Sequence, residues 1–115
     1  AATTRLARYA LDQDTWQLAT GEDGFSRPLT LDDGGVRQMQ GVAIARGRHH
    51  VTVSHGPFIP GSMRAGDPGS MRMRRWVLPM GPEDLSYWPS TDRLWSLTEH
   101  PRRRWIVAMD RNWFD

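Results

Sequence analysis

Carboxylates and aromatic rings crowd into one stretch, "GPEDLSYWPSTDRLWSLTE" at residues 81–99. Glu83 and Asp84 stand before an aromatic run that ends in Tyr87 and Trp88, and Glu99 closes a second run holding Trp95. A pair of carboxylates can divide the roles of general acid and general base. The rings suggest different chemistry: an exposed Trp or Tyr face is a stacking platform for a sugar. Trp88, at a strand end beside the turn, and Trp113, beyond the last strand, are the rings expected to be exposed. With Tyr87 they are the candidate ligand-binding residues, and no residue is assigned a catalytic role.

Four histidines, His49, His50, His55 and His100, invite a metal or general-base role. On an extended strand His49 and His55 share a face with Val51 and Val53, while His50 points the other way beside Thr52. Residues six apart on a strand are about 20 Å apart, too far to share one zinc ion. No Ser sits in a G-x-S-x-G elbow, and "SHG" at 54–56 is too short to specify a nucleophile. The Gly-rich loop 61–70 lacks the Lys of a phosphate-binding loop. The lone Asn, Asn112, lies outside any glycosylation sequon.

These residues have to be positioned by strands, because bulky and polar side chains alternate almost everywhere. The pattern predicts strands at 5–11, 15–20, 41–45, 49–55, 71–78, 84–88, 93–99 and 103–109. Residues 21–35 and 56–70, rich in Gly, Asp and Pro, read as loops. Eleven Gly, eight Pro and no amphipathic helical stretch give an all-β class. At 115 residues the chain has room for one modest core, and six Trp with three Phe must supply much of it. There is no Cys, hence no disulfide, and no apolar run long enough to span a membrane. All fifteen basic residues are Arg, as a GC-rich genome produces, and the net charge is only +2. Two Arg clusters, at 72–75 and 102–104, read as solvated or salt-bridged faces, with a phosphate or acidic-surface patch as the alternative; specific nucleic-acid binding is not expected.

The sequence also repeats. "QGVAIARGRHHVTVSH" (40–55) matches "EDLSYWPSTDRLWSLTE" (83–99) as strand, turn and strand, with one extra residue in the later turn. "RRWV" (74–77) and "RRWI" (103–106) read as the next strand of each copy, and "TRLARYALD" (4–12) as the matching strand of a preceding one. A period of about 43 residues with three or four strands per unit marks a β-propeller blade. The expected organisation is a strand pair at 4–20 from a preceding blade, a blade at 36–80 and a blade at 81–115, each a three- to four-stranded antiparallel sheet.

"PEDLSYWPSTDRLWSLTE" followed by "RRWIVAMD" resembles the blade pattern of extracellular six-bladed propellers related to strictosidine synthase and the senescence-marker lactonases. "MQGVAI", "MGPEDLSYWPSTDRLWSLTEHP" and the aromatic tail are similar to the C-terminal part of a group of uncharacterised secreted actinobacterial proteins. The resemblance implies a secreted propeller. It also implies that Glu83 ligates Ca2+ at a channel mouth, although Asp84 stands where the lactonase pattern has Gly. The copy at 40–55 has Gln40 where Glu83 stands, so the scaffold itself does not require that carboxylate.

A blade buries its faces only against other blades, and a ring needs at least four. About two blades therefore call for completion, by another propeller half or by identical subunits. The start lacks the basic and apolar regions of a signal peptide and reads as mature or internally cut. The expected function is a binding module for a glycan, a cell-surface polymer or a partner protein. The alternatives are part of a calcium-dependent hydrolase or lactonase and a purely structural half of a two-chain propeller.

Overall fold

The computed structural model describes residues 5–56, 58–78, 81–99, 102 and 104–115. Its strands are β1 (Arg5–Arg8), β2 (Thr30–Asp33), β3 (Met39–Ala45), β4 (Arg48–Val53), β5 (Gly61–Gly66), β6 (Arg72–Leu78), β7 (Pro82–Trp88), β8 (Arg93–Thr98) and β9 (Ile106–Asp110). A 3-10 turn, Arg111–Phe114, follows β9. The chain is all-β, as expected. Among the described residues no helix is long and apolar enough to cross a membrane.

The strands form three open antiparallel sheets, β1-β2, β3-β4-β5-β6 and β7-β8-β9, and they do not close into a barrel. The β3–β4 hairpin turns at Arg46 and Gly47, whose φ angles of 50° and 73° are the mirror-image turn geometry that matches strand twist. β7 and β8 are joined by a longer turn, Pro89–Asp92, which closes with the Thr91 amide donating to the Trp88 carbonyl at 3.3 Å.

Side-chain alternation stacks the sheets. Val51 and Val53 of β4 pack with Val36 and Met71 in one cluster, against which Leu6 of β1 and Met39 lie. From the opposite face of the same sheet, Ala45 and Met63 meet Leu85, Leu94, Met109 and Phe114. The β3–β6 sheet is thus the middle layer, with β1-β2 on one side and β7-β8-β9 on the other. Met63, Leu94 and Phe114 are fully buried, and side chains of this size each contribute about 1.5–3 kcal/mol on burial. The two larger sheets approach most closely where β3 crosses β7. A Cβ on Gly41 would lie 2.5 Å from the Asp84 carbonyl carbon and the Leu85 nitrogen.

Several expectations need correction. Residues 30–33, expected in a loop, form β2 and pair with β1, so Leu6 lies opposite Asp32. The expected hairpin at 5–20 survives only as one bridge, Leu11 to Leu18, closed by the Trp16 amide donating to the Asp12 carbonyl at 2.8 Å. The Asp12 carboxylate takes the amides of Asp14 and Thr15 and thereby fixes the turn. Residues 61–66, also expected in a loop, form β5, paired on both edges with β4 and β6. The two Arg-Arg-Trp segments are consequently not equivalent. Arg74 to Trp76 lie in the fourth strand of one sheet, whereas Trp105 directly precedes β9, the third strand of the next. Trp105 is half exposed.

Candidate functional site

β3 and β7 carry irregularities at matching places. The register slips between Met39 and Gly41 in β3, and between Pro82 and Leu85 in β7. Gln40 and Glu83 therefore both sit in bulges, as their alignment implies, and a bulge re-aims the side chain it carries. Asp84 serves the bulge itself: its Oδ1 accepts the Leu85 amide at 2.7 Å, and its carbonyl accepts the Ser96 hydroxyl at 2.6 Å. Glu83 and Asp84 thus do different work and do not form an acid–base pair. The acidic neighbour of Glu83 is Glu99, whose amide donates to the Gly81 carbonyl at 3.0 Å. Burial, and then repulsion from Glu99, pushes the Glu83 carboxyl above the ordinary carboxylate value. Among the described residues no three His, Asp or Glu side chains are grouped as a metal site requires, while Ca2+ takes six to eight oxygens. These residues alone do not make a calcium site.

The three candidate rings are not brought together. Tyr87 turns inward against the Leu85–Phe114 cluster, and its hydroxyl donates to Asp92 Oδ1 at 2.8 Å. Trp88, next along the strand, faces outward and is 51% exposed. Trp113 lies in the terminal 3-10 turn, where its carbonyl accepts Arg75 Nε at 2.9 Å. What Trp88 does meet is Trp95 of β8, with ring centroids 5.0 Å apart and planes tilted by 37°. Both rings open on a shallow cleft of about 320 Å³ that also touches Asp84, Ser86, Leu97 and Ile106.

The pairing of β8 with β9 explains this cleft. Arg93, Trp95 and Leu97 lie opposite Asp110, Ala108 and Ile106, and directly opposed residues share a face. That face turns away from the buried cluster, and among the described residues nothing covers it. Ile106, the first residue of the edge strand β9, is 76% exposed. At the far end of the stack the β1-β2 layer and the segment joining its two strands expose Leu11, Leu18, Phe25, Leu29 and Leu31. The chain thus presents two dissimilar sets of exposed apolar side chains, and exposed apolar patches mark sites of association.

Sequence reasoning missed a Ser–His contact. His55 Nε2 lies 2.9 Å from Ser62 Oγ, and the His55 ring packs on Trp76 with centroids 4.6 Å apart. Ser62 is fully buried, and the pair ties the segment after β4 to β5. Its only sequence signal was the Ser in a segment expected to be a loop. Asp92 was missed as well. It gathers Tyr87, Arg111 Nε at 2.7 Å and Arg46 at 3.2 Å. The hydrogen bonds from Arg111, and then from Tyr87, hold its carboxyl down at about 2. No protein-family model, curated protein or solved structure matches the chain.

Proposed function

We propose that the chain is a binding subunit of a secreted, propeller-type assembly, its two larger sheets serving as blades and identical copies joining head to tail. The β7-β8-β9 face of one copy receives the β1-β2 end of the next. The observation that carries this is the outer face of β7-β8-β9, where Trp88, Leu97 and Ile106 stand exposed on the side opposite the cluster that packs on β3–β6. A sheet that is apolar on both faces needs a layer on each side. Because the two ends differ, the contact is heterologous, and repeating it generates a ring when the rotation closes. The resemblance to six-bladed propellers belongs to the same proposal.

Size-exclusion chromatography with light scattering tests it. The 13.2 kDa chain is expected to run as a multiple of its own mass at concentrations on the order of 100 μM. Ile106→Glu is expected to return it to the monomer without lowering its own thermal stability, because the side chain is solvent-exposed within the single chain. A wild-type monomer at that concentration would remove the proposal.

A further inference from the structure

Between the middle sheet and the terminal 3-10 turn lies a cavity of about 480 Å³ lined by Ala45, Arg46, Arg48, His50, Arg74, Arg111 and Asp115. A second cavity adjoins it through Arg46, Arg48 and Arg74 and adds Arg72 and Asp67. Five arginines from three separated parts of the chain therefore converge at one end of the stack. Their charges are not all balanced. Arg111 pairs with Asp92 at 2.7 Å and with Asp115 at 2.6 Å, and Arg46 pairs with Asp92 at 3.2 Å. Among the described residues, Arg48, Arg72 and Arg74 form no ion pair within 4.0 Å.

Among the described residues, two buried nitrogens in the lining also lack partners, Arg74 Nε and His50 Nε2. His50 is 99% buried. Its Nδ1 lies 3.0 Å from the Arg48 carbonyl, and since a carbonyl only accepts, Nδ1 carries the hydrogen. The neutral ring then presents a bare lone pair at Nε2. An orphaned donor on Arg74 and an orphaned imidazole nitrogen at the floor of a cationic cavity both call for a ligand.

We propose that this cavity binds a tetrahedral oxyanion, the sulfate or phosphate group of an ester, held by Arg48 and Arg74 with His50 as imidazolium beneath it. Planar guanidinium forks match the oxygen pairs of such groups, and the cavity has room for the carbon skeleton that carries the anion. The anion's negative charge cannot face the lone pair of neutral His50, so binding takes up one proton at Nε2. Burial, chiefly, holds His50 below the ordinary imidazole value in the empty chain, so at neutral pH this proton comes from solvent. The charged groups facing the ring are Arg48 on its own strand, Arg46 in the turn, Arg74 on β6 and Arg111 with Asp115 beyond β9. The cavity lies within one chain, so the inference stands apart from the head-to-tail proposal.

Calorimetry on the full chain with sodium sulfate and sodium phosphate at low ionic strength tests the site. Sulfate keeps its charge over this range, and its affinity is expected to rise as pH falls from 7.5 to 5.5, with proton uptake visible as a buffer-dependent enthalpy. Arg48→Gln and Arg74→Gln are each expected to weaken binding about tenfold or more, since a charged hydrogen bond of this kind is lost. Arg27→Gln, at an exposed pair with Asp23, is expected to leave binding unchanged. Arg48 lies at the surface, so Arg48→Gln serves even if Arg74→Gln does not fold. Phosphorylated and sulfated glucose then identify the ester by which binds more tightly. Absence of saturable binding, equal weakening in Arg27→Gln, or sulfate affinity independent of pH would each overturn the proposal.

Discussion

Gly41→Ala probes the closest approach between the two larger sheets, on which the whole stack depends. The φ of Gly41 is not in the left-handed region, so the alanine backbone is unstrained. By itself the change would stabilise the protein by about 0.4–1 kcal/mol through the unfolded chain. Space opposes it. The new Cβ would stand 2.5 Å from the backbone of Asp84 and Leu85, against 3.4 Å for ordinary contact, so β7 must recede by about 0.9 Å. The obstacle is backbone, which cannot swing aside as a long side chain does. Retreat of β7 also drags Leu85 from its cluster with Met63 and Phe114. Overpacking of this kind costs about 3 kcal/mol, leaving a net loss of about 2–2.5 kcal/mol. For a domain of this size that lowers Tm by about 8–10 °C, read by circular dichroism melting. Because the entropic effect alone would raise Tm, the sign decides. A Gly41→Ala protein as stable as wild type, or more so, would show that β3 and β7 do not meet as described.

Three further predictions concern the core and the charges. Phe114→Ala empties a fully buried site and is expected to cost about 3–5 kcal/mol, lowering the urea midpoint by about 2 M; an unchanged midpoint would mean the terminal turn does not dock. Asp92 has its carboxyl lowered from 3.8 to about 2, so its contribution is whole above the unfolded value and disappears as pH falls from about 4 toward 2. Asp92→Asn should be less stable at pH 7 and show a shallower loss of Tm in that window, and parallel acid limbs would refute the assignment. Glu83 is shifted the other way: its folded carboxyl holds its proton more tightly, so stability falls as pH rises through the raised value. Glu83→Gln should therefore match wild type at pH 3 and exceed it at pH 7. A Ca2+-dependent rise in Tm that Glu83→Gln abolishes would instead support the metal role.

The all-β class was legible because β3, β4, β7 and β8 alternate plainly, and the Gln40–Glu83 alignment survives as two matching bulges. Two strands escaped notice for physical reasons. β5 is "GSMRAG", a central strand with neighbours on both edges, where small residues fit between layers and alternation fades. β2 is "TLDD", short, acidic and exposed, the composition that protects an edge from further pairing. Tyr87 and Trp88 could have been assigned to opposite faces from alternation alone. The cationic cavity could not have been found that way. Arg46 and Arg48, Arg72 and Arg74, and Arg111 are far apart in sequence; the pairing of β4, β5 and β6 brings the first four to one end of the sheet, and the stacking of β7-β8-β9 adds Arg111.

The cavity and the uncovered face also make separable demands. The cavity needs the basic β3–β4 turn, Arg46–Gly47, opposite the acidic Asp92 of the β7–β8 turn. The later turn, Pro89–Asp92, contains no Arg, so the outer face of β7-β8-β9 cannot rebuild the same cavity against a following layer. Stacked copies would then hold one anion per chain, inside each chain and not at the joints. Sulfate stoichiometry should accordingly stay at one per 13.2 kDa whether the protein is assembled or monomeric. Ile106→Glu should disperse the assembly at unchanged sulfate affinity, and Arg48→Gln should weaken sulfate binding at unchanged mass. If Ile106→Glu weakens both together, the anion site is formed between copies, and the placement of Arg48 and Arg74 around a cavity within one chain is wrong.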